Sequence, residues 1–452
     1  MKGMEGMKPD IADLFFGFAP ARWIWKPLVK RYVTGSWTPM VFKPGEAALP
    51  ERLDGLGLYL HVPFCREPCP YCPYNRVKYV KDRYRLFEEA AHQEIDLYGR
   101  LMSELTSAKD RGRRRISSIY VGGGTPTIEP RSLAGLIAHV QETFGPPENT
   151  CVECHPAQMD DECLDTLKSV GVTMVSIGVQ SLSDRLLKLI GRAQDAVTAT
   201  DAVGRAVAAG FETVNADLMF ALPTQTVEDL DHDVTTLLDM GVDQISAYPI
   251  FGFPYTKLGE RLGIKRILRP PGDTIRRMLA LIHRRAKERG FRQCSVWSFA
   301  RPDRTKFSST TRRHYIGIGP SAASMTGAQF YVNTFSVEEY ASSLPDRLPI
   351  ALVLPMDKRL EMAFWLYWRI YEMELPVADF RRTFDTELGK AYGLLLGLWE
   401  RIGMMSRENG SYQVTDRGAY WIHRVQNEYA LNYIDRLWGR CRSQPWPQKV
   451  RL

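Results

Sequence analysis

The chain has 452 residues, 44% of them hydrophobic and 25% charged, with a formal net charge of +7. That length suits one large domain and a smaller one, and no apolar run approaches the about 20 residues of a membrane-spanning helix. Eight cysteines are too few for a disulfide framework and fit reduced thiols in a cytoplasmic protein, while so modest a charge permits an anionic substrate without arguing for nucleic acid.

The first residues, "MKGMEGMKPDIADLFFGF", have an acidic break before a short apolar patch and no small-residue cleavage site, so no secretory signal is expected. Residues 1–55 read as an arm whose one patterned piece is "ARWIWKPLVKRY". As a helix it would set Arg22, Lys26 and Lys30 on one face, with Trp25, Leu28 and Val29 away from it. An arm packed on the domain surface with its basic face solvated is preferred to membrane or substrate contact.

From residue 56 short β-rich runs alternate with amphipathic helical ones. The strand candidates are "GLYLHV", "ISSIYVGGG", "TCVECHP", "TMVSIGVQ", "TVNADLMFAL", "QISAYPI" and "FRQCSVWSF". Such alternation predicts parallel strands joined by crossover helices. With about six units rather than eight, the expected fold is a partial (β/α)6 TIM-type barrel over residues 56–300. Residues 301–355 read as a loop-rich connector. Residues 356–452 read as a mostly helical, winged-helix-like cap with a β-hairpin around Asn409-Gly410. The candidate recognition helix, "TELGKAYGLLLGLWERIG", offers only Lys390 and Arg401 as cations, which favours a cap packed on the barrel over a DNA reader.

Barrel active sites form at the C-terminal ends of the strands, and the unusual residues fall there. After the first strand, "HVPFCREPCPYC" spaces Cys65, Cys69 and Cys72 as C-x3-C-x2-C with no fourth cysteine following. Structural zinc and electron-carrying cubanes both want four ligands, so three thiolates leave a metal site open for chemistry. "GGGTPT" lets a ligand approach the backbone after the second strand. Glu153 lies in an otherwise apolar third strand and needs a positive or donor partner in the barrel mouth. The fourth strand ends at Gln180, and the fifth carries Asn215 and Asp217. Cys151 and Cys154 form a second C-x2-C, but strand alternation points them to opposite faces, so they read as core, as do Cys163, Cys294 and Cys441.

"HVPFCREPCPYC", "VGGGTPT", "SIGVQS" and "NADLMFALPTQT", in that order, resemble the radical S-adenosylmethionine (SAM) enzymes of the HemN-like, oxygen-independent coproporphyrinogen III oxidase group. The resemblance runs from about residue 56 to the C-terminus and implies a 4Fe–4S cluster on Cys65, Cys69 and Cys72, with SAM on the open iron. One electron into the cluster would release a 5′-deoxyadenosyl radical that abstracts hydrogen from substrate. By motif position, Tyr59, the Gly123–Thr125 backbone (Gly123, Gly124 and Thr125), Glu153, Gln180, Arg192, Gln194 and Asp217 resemble the family's contacts to this cosubstrate. A second SAM can sit near Tyr71, Tyr74 and Gly124. The resemblance also implies an electron donor such as flavodoxin or ferredoxin, and a small-molecule substrate, a tetrapyrrole or another planar unsaturated compound.

Two departures bear on the substrate. The oxidases place a fourth cysteine where this chain has Tyr74, and the haem-chaperone branch carries H-N-x-x-Y-W where this chain reads "STTRRHYIGIGPSA". Transfer of a methyl or methylene group from a second SAM to an sp2 carbon is therefore the favoured expectation, with Tyr74 as a catalytic candidate. The alternatives are oxidative decarboxylation of a porphyrinogen-like acid and a non-enzymatic haem-binding chaperone or iron–sulfur carrier.

Overall fold

The computed structural model describes residues 19–50, 55–105, 116–253, 255–263, 270–308, 313–421 and 433–452. Six strands carry the barrel: β1 (Gly57–Val62), β2 (Ile116–Gly123), β3 (Pro147–Cys154), β4 (Met174–Gln180), β5 (Thr213–Phe220) and β6 (Gln244–Pro249). Each pairs in parallel with the next, in sequence order. Helices cross over between them, among them α1 (Lys81–Leu105), α2 (Pro130–Phe144), α3 (Asp184–Ile190), α4 (Ala196–Ala209) and α5 (Val227–Asp239). Strands buried on both sides read as continuous apolar runs, and all seven residues of β4 are buried. Helix starts are set by local side chains: Thr226 and Asp229 cap α5 reciprocally. The six-stranded partial barrel is thus as expected.

The edges differ from expectation. "FRQCSVWSF" is not a seventh parallel strand but two short ones, β7 (Arg292–Gln293) and β8 (Ser298–Ala300), which pair antiparallel on the β6 side. Residues 301–355, expected to be a connector, hold β9 (Tyr315–Ile318), β10 (Ala323–Met325), β11 (Gln329–Asn333) and β12 (Ile350–Pro355). β9 joins β1 in parallel on the edge opposite β2, and β10 to β12 continue antiparallel. The complete sheet has twelve strands in the order β7-β8-β6-β5-β4-β3-β2-β1-β9-β10-β11-β12. Most of these strands escape a pattern search because they are only three to five residues long.

The C-terminal part packs α6 (Lys358–Tyr371), α7 (Val377–Phe384) and α8 (Leu388–Arg401) beside a hairpin of β14 (Met405–Glu408) and β15 (Ser411–Val414), with β13 (Glu374–Pro376) on its edge. Asn409 and Gly410 both have positive φ, 49° and 77°, as a two-residue I′ turn requires. A helix over Ala19–Thr34 packs on this part: Arg359 Nη2 donates to the Tyr32 carbonyl at 2.5 Å, and the Tyr392 hydroxyl to the Val33 carbonyl at 3.3 Å. Its basic face is not simply solvated. Lys30 is half-buried and its Nζ donates to the Leu452 carbonyl at 3.4 Å, whereas Leu28 is exposed. The side chains of Trp25, Arg22 and Lys26 lie outside the described residues. Among the described residues no helix is long and apolar enough to cross a membrane.

Candidate active site

Beyond β1 the chain enters a two-residue strand, Phe64–Cys65, that pairs in parallel with Val77–Lys78 and closes residues 66–76 into a loop. Arg76 staples that loop, donating from Nη2 to the Cys69 carbonyl at 2.6 Å and from Nη1 to the Tyr74 carbonyl at 3.2 Å. Cys65 and Cys69 are buried and Cys72 is partly so. Burial pushes the Cys65 thiol up and the Cys72 thiol to about 12, and each feels its neighbouring sulfurs. Two thiols raised in this way are costly as thiolates unless a metal lies beside them.

The surroundings fit a three-thiolate cluster with a polar ligand beside it. Gly124 lies against Cys65, where a Cβ would come within 3.0 Å of Sγ and 2.6 Å of the Phe64 carbonyl oxygen, so the glycine keeps that space open. The Thr125 hydroxyl reaches Cys65 Sγ at 3.6 Å. Arg192 donates from Nη1 to Cys69 Sγ at 3.2 Å and from Nη2 to the Gly178 carbonyl at 2.7 Å. Arg192 Nε and Gln194 Oε1 are buried with no hydrogen-bond partner among the described residues. Among those residues no three His, Cys, Asp or Glu side chains converge on a single ion. A cubane asks something different, since each thiolate meets a separate iron.

Glu153, projecting from β3, has donors and, among the described residues, no cation. The Tyr120 hydroxyl donates to Oε1 at 2.5 Å and the Gly123 amide to Oε2 at 3.3 Å. Burial pushes its carboxyl up in spite of these donors. A Cβ on Gly122 would meet Oε2 at 2.9 Å, so the first glycine of the triplet lets the carboxylate lie against β2. Asp217 receives the Ser176 hydroxyl and the Asn215 amide, each at 2.9 Å. Burial, then the charge of Glu153, raises its carboxyl to about 7. Asp217 also feels the Arg192 guanidinium, whereas no cation acts on Glu153 among the described residues, so a positively charged ligand would favour its ionised form.

The other expected residues surround this pair. Tyr59 donates to His61 Nδ1 at 2.6 Å, because His61 Nε2 donates to the Asn75 carbonyl at 3.0 Å and burial holds the imidazole neutral, near 4. Gln180 is buried at φ 69° and accepts from the Tyr248 hydroxyl at 3.2 Å. Gln194 Nε2 donates to the Val179 carbonyl at 3.1 Å. Tyr71 packs on the apolar group of Leu186, Ile190 and Met219, with its hydroxyl toward Cys69. Tyr74 is 49% exposed, with its ring 5.8 Å from that of Trp438. The protein around it, then Glu153, pushes its phenol up, and Cys72 and Asp217 also act on it, so it lies near both the cysteine loop and the carboxyls.

One expectation changes in detail. The amides of Gly123, Gly124 and Thr125 are bonded to Glu153 and to the carbonyls of Val62 and Phe64, so the glycines offer close approach rather than free N–H groups. Cys151 and Cys154 do lie on opposite faces: Cys151 packs with Tyr120 and Met174, and Cys154 joins the core that includes Cys163. Cys441 is buried, whereas Cys294 is only half-buried. Sequence reasoning missed Tyr120, His61, Ser176 and Arg76. The first three sit on strand positions that alternate toward the cavity, a signal available in principle.

Residues 59–237 match the radical SAM superfamily. Over 321 residues the chain is 30% identical to the heme chaperone HemW of Mycobacterium tuberculosis, covering 68% of this chain and 79% of that protein. It is 27% identical to the Lactococcus lactis heme chaperone HemW over 386 residues, 83% of this chain and 98% of that one. It is also 29% identical to the oxygen-independent coproporphyrinogen III oxidase of Bradyrhizobium diazoefficiens, over 64% of this chain and 66% of that protein. The solved structure of coproporphyrinogen III oxidase (HemN) from Escherichia coli superposes with a TM-score of 0.71 at 22% identity, covering 88% of this chain and 97% of that one.

Proposed function

Because the chain belongs to the HemN-like family of radical SAM proteins, we propose that it is an enzyme that cleaves SAM reductively and uses the radical to abstract hydrogen from a small unsaturated substrate. The observation that carries this is the triad of Cys65, Cys69 and Cys72 with Arg192 donating to Cys69, in a site that also buries the Glu153 and Asp217 carboxyls. When bound, the cluster supplies the electron that splits the sulfonium and frees a 5′-deoxyadenosyl radical.

Each residue then has a task. The three cysteines hold the cluster, and Arg192 stabilises the Cys69 sulfur while its unpartnered Nε is left to donate to the methionine carboxylate. Glu153, held by Tyr120, receives the methionine ammonium. Asp217, held by Ser176 and Asn215, takes a hydroxyl of the ribose, with Tyr59, Gln180 and Gln194 lining the nucleoside. Gly123, Gly124 and Thr125 give it room to lie on the backbone.

For the second half-reaction we favour one-carbon transfer from a second SAM to an sp2 carbon. Its support is Tyr74, a half-exposed phenol near Cys72 that feels both carboxyls, where the oxidases carry a cysteine. The relatives' names favour two other readings, decarboxylation of coproporphyrinogen III and haem binding by a chaperone. Counting products in one anaerobic turnover separates the three. One-carbon transfer yields S-adenosylhomocysteine with 5′-deoxyadenosine, decarboxylation yields 5′-deoxyadenosine alone, and a chaperone yields neither. Loss of coproporphyrinogen carboxyl groups would overturn the transfer reading.

A further inference from the structure

Two segments far apart in sequence, 27–50 and 433–452, meet on the surface and carry charge that the proposed chemistry of the cleft does not use. Val41–Phe42 pairs antiparallel with Val450–Arg451, with Phe42 opposite Val450. Phe42 and Val450 enter a small core with Leu437, Cys441 and Leu452. Alternation along the two strands therefore turns Lys43, Lys449 and Arg451 outward, and all three are exposed. The helix Ala19–Thr34 reaches the same place through Lys30, whose Nζ donates to the Leu452 carbonyl at 3.4 Å. Arg436 lies close enough to be felt by Lys30, and Arg440 follows one helical turn later. Arg31 shares a helix face with Leu28, three residues before it.

The charge on this face is one-sided. The two segments hold eight Arg or Lys, and Glu46 and Asp435 are their only acids. Lys30 is half-buried, and the Arg442 guanidinium lies 5.1 Å from the Tyr255 ring centroid. The other six are exposed, and no ion pair engages them among the described residues. The segments packed against them leave the excess as it is. Asp357, Lys358 and Arg359 at the start of α6, with Glu339, Asp346 and Arg347 around Trp446, add three charges of each sign. Like charges gathered this way repel one another, as the approach of Arg436 to Lys30 shows, and a polyanionic surface relieves that repulsion. Trp37 and Leu28, 62% and 53% exposed, stand among the cations. A leucine gains nothing against a phosphate backbone, but an indole and a leucine both gain by entering a lipid headgroup layer.

We infer that these six cations, with Leu28 and Trp37, bind the surface of an anionic lipid membrane. The contact is peripheral, since among the described residues no helix is long and apolar enough to cross a bilayer. The arm's own sequence favoured a solvated face because half of the cations come from residues 433–452, more than 400 residues away. Each Lys or Arg near an anionic leaflet adds a small increment, so six together hold a protein that two apolar side chains alone would not.

The test uses the reconstituted full chain and phosphatidylcholine vesicles made with or without phosphatidylglycerol. Co-sedimentation should be at least about tenfold stronger with phosphatidylglycerol and should weaken as salt rises. Lys43→Glu, Arg440→Glu and Lys449→Glu, combined, change exposed side chains that have no ion pair among the described residues. The triple variant should keep the wild-type melting temperature and bind anionic vesicles about tenfold less tightly or worse. Trp37→Ser should weaken binding severalfold while leaving its salt dependence unchanged. Equal binding of the wild type to neutral vesicles would overturn the proposal, and that comparison needs no variant. Unchanged binding by the triple variant would overturn it as well. So would a preference for duplex DNA or an acidic protein over vesicles, with Trp37→Ser having no effect.

Discussion

At the scale of single residues, the carboxyls decide what the cleft can hold. Among the described residues Glu153 has two neutral donors, no cation, and a carboxyl that burial pushes up, so an arriving ammonium would make its ionised form favourable. A charge-assisted contact of this kind contributes about 1.5–3 kcal/mol. Glu153→Gln should therefore weaken SAM binding by roughly one to two orders of magnitude in an equilibrium titration, with the cluster spectrum intact. Unaltered affinity would make Glu153 a structural acceptor for Tyr120. Tyr74→Phe removes only a hydroxyl from a half-exposed ring. It should leave 5′-deoxyadenosine formation in place and lower the yield of final product severalfold; a wild-type yield would deny the hydroxyl a chemical role. The ligand cysteines and acids stand out in the sequence because each is costly in an apolar strand or loop. Their supports do not, because Tyr120 and Ser176 are ordinary strand residues until register brings them beside Glu153 and Asp217.

Elements carry the next level of control. α3 ends at Gly191, in the left-handed region at φ 70°, and the reversal delivers Arg192 to Cys69. A Cβ there would sit 2.7 Å from Pro70 Cγ, within the cysteine loop. Gly191→Ala should cost about 1–2 kcal/mol through backbone strain and displace the loop against Arg192. The expected result is a lowered melting temperature together with a loss of cosubstrate cleavage larger than the stability change explains. Full cleavage would mean that the loop tolerates the shift. Strand and helix order in the barrel was legible because apolar runs and amphipathic helices alternate without interruption from β1 to β6. β9 to β12 were not legible. "YIGIGPSAASM" has few β-branched residues, and what makes it sheet is pairing with β1, more than 250 residues earlier in the chain.

Across the whole molecule, the added strands are fastened to the barrel by a buried acid. Glu94 on α1 is fully buried and accepts from the Gly319 amide at 2.8 Å, the Asn333 amide at 2.8 Å and the Tyr340 hydroxyl at 2.5 Å. Burial raises its carboxyl to about 7 despite these donors. A carboxyl raised in the folded state adds stability that is fully present below its unfolded pKa, near 4.5, and fades as pH rises through about 7. The stability advantage of wild type over Glu94→Gln should therefore shrink between pH 5 and pH 8 in paired thermal melts. A gap independent of pH would show that Glu94 does not change protonation on unfolding.

The same architecture constrains biosynthesis. β1 leads directly into the cysteine loop, yet its second neighbour, β9, leaves the ribosome about 250 residues later, which at roughly 5–20 residues per second is about 10–50 s of translation. Throughout that interval β1, the strand that leads into the cysteine loop, has one open edge. On the reading that this loop holds a cluster, iron loading is expected once the sheet is complete, and iron shortage or oxygen should damage newly made chains more than finished ones.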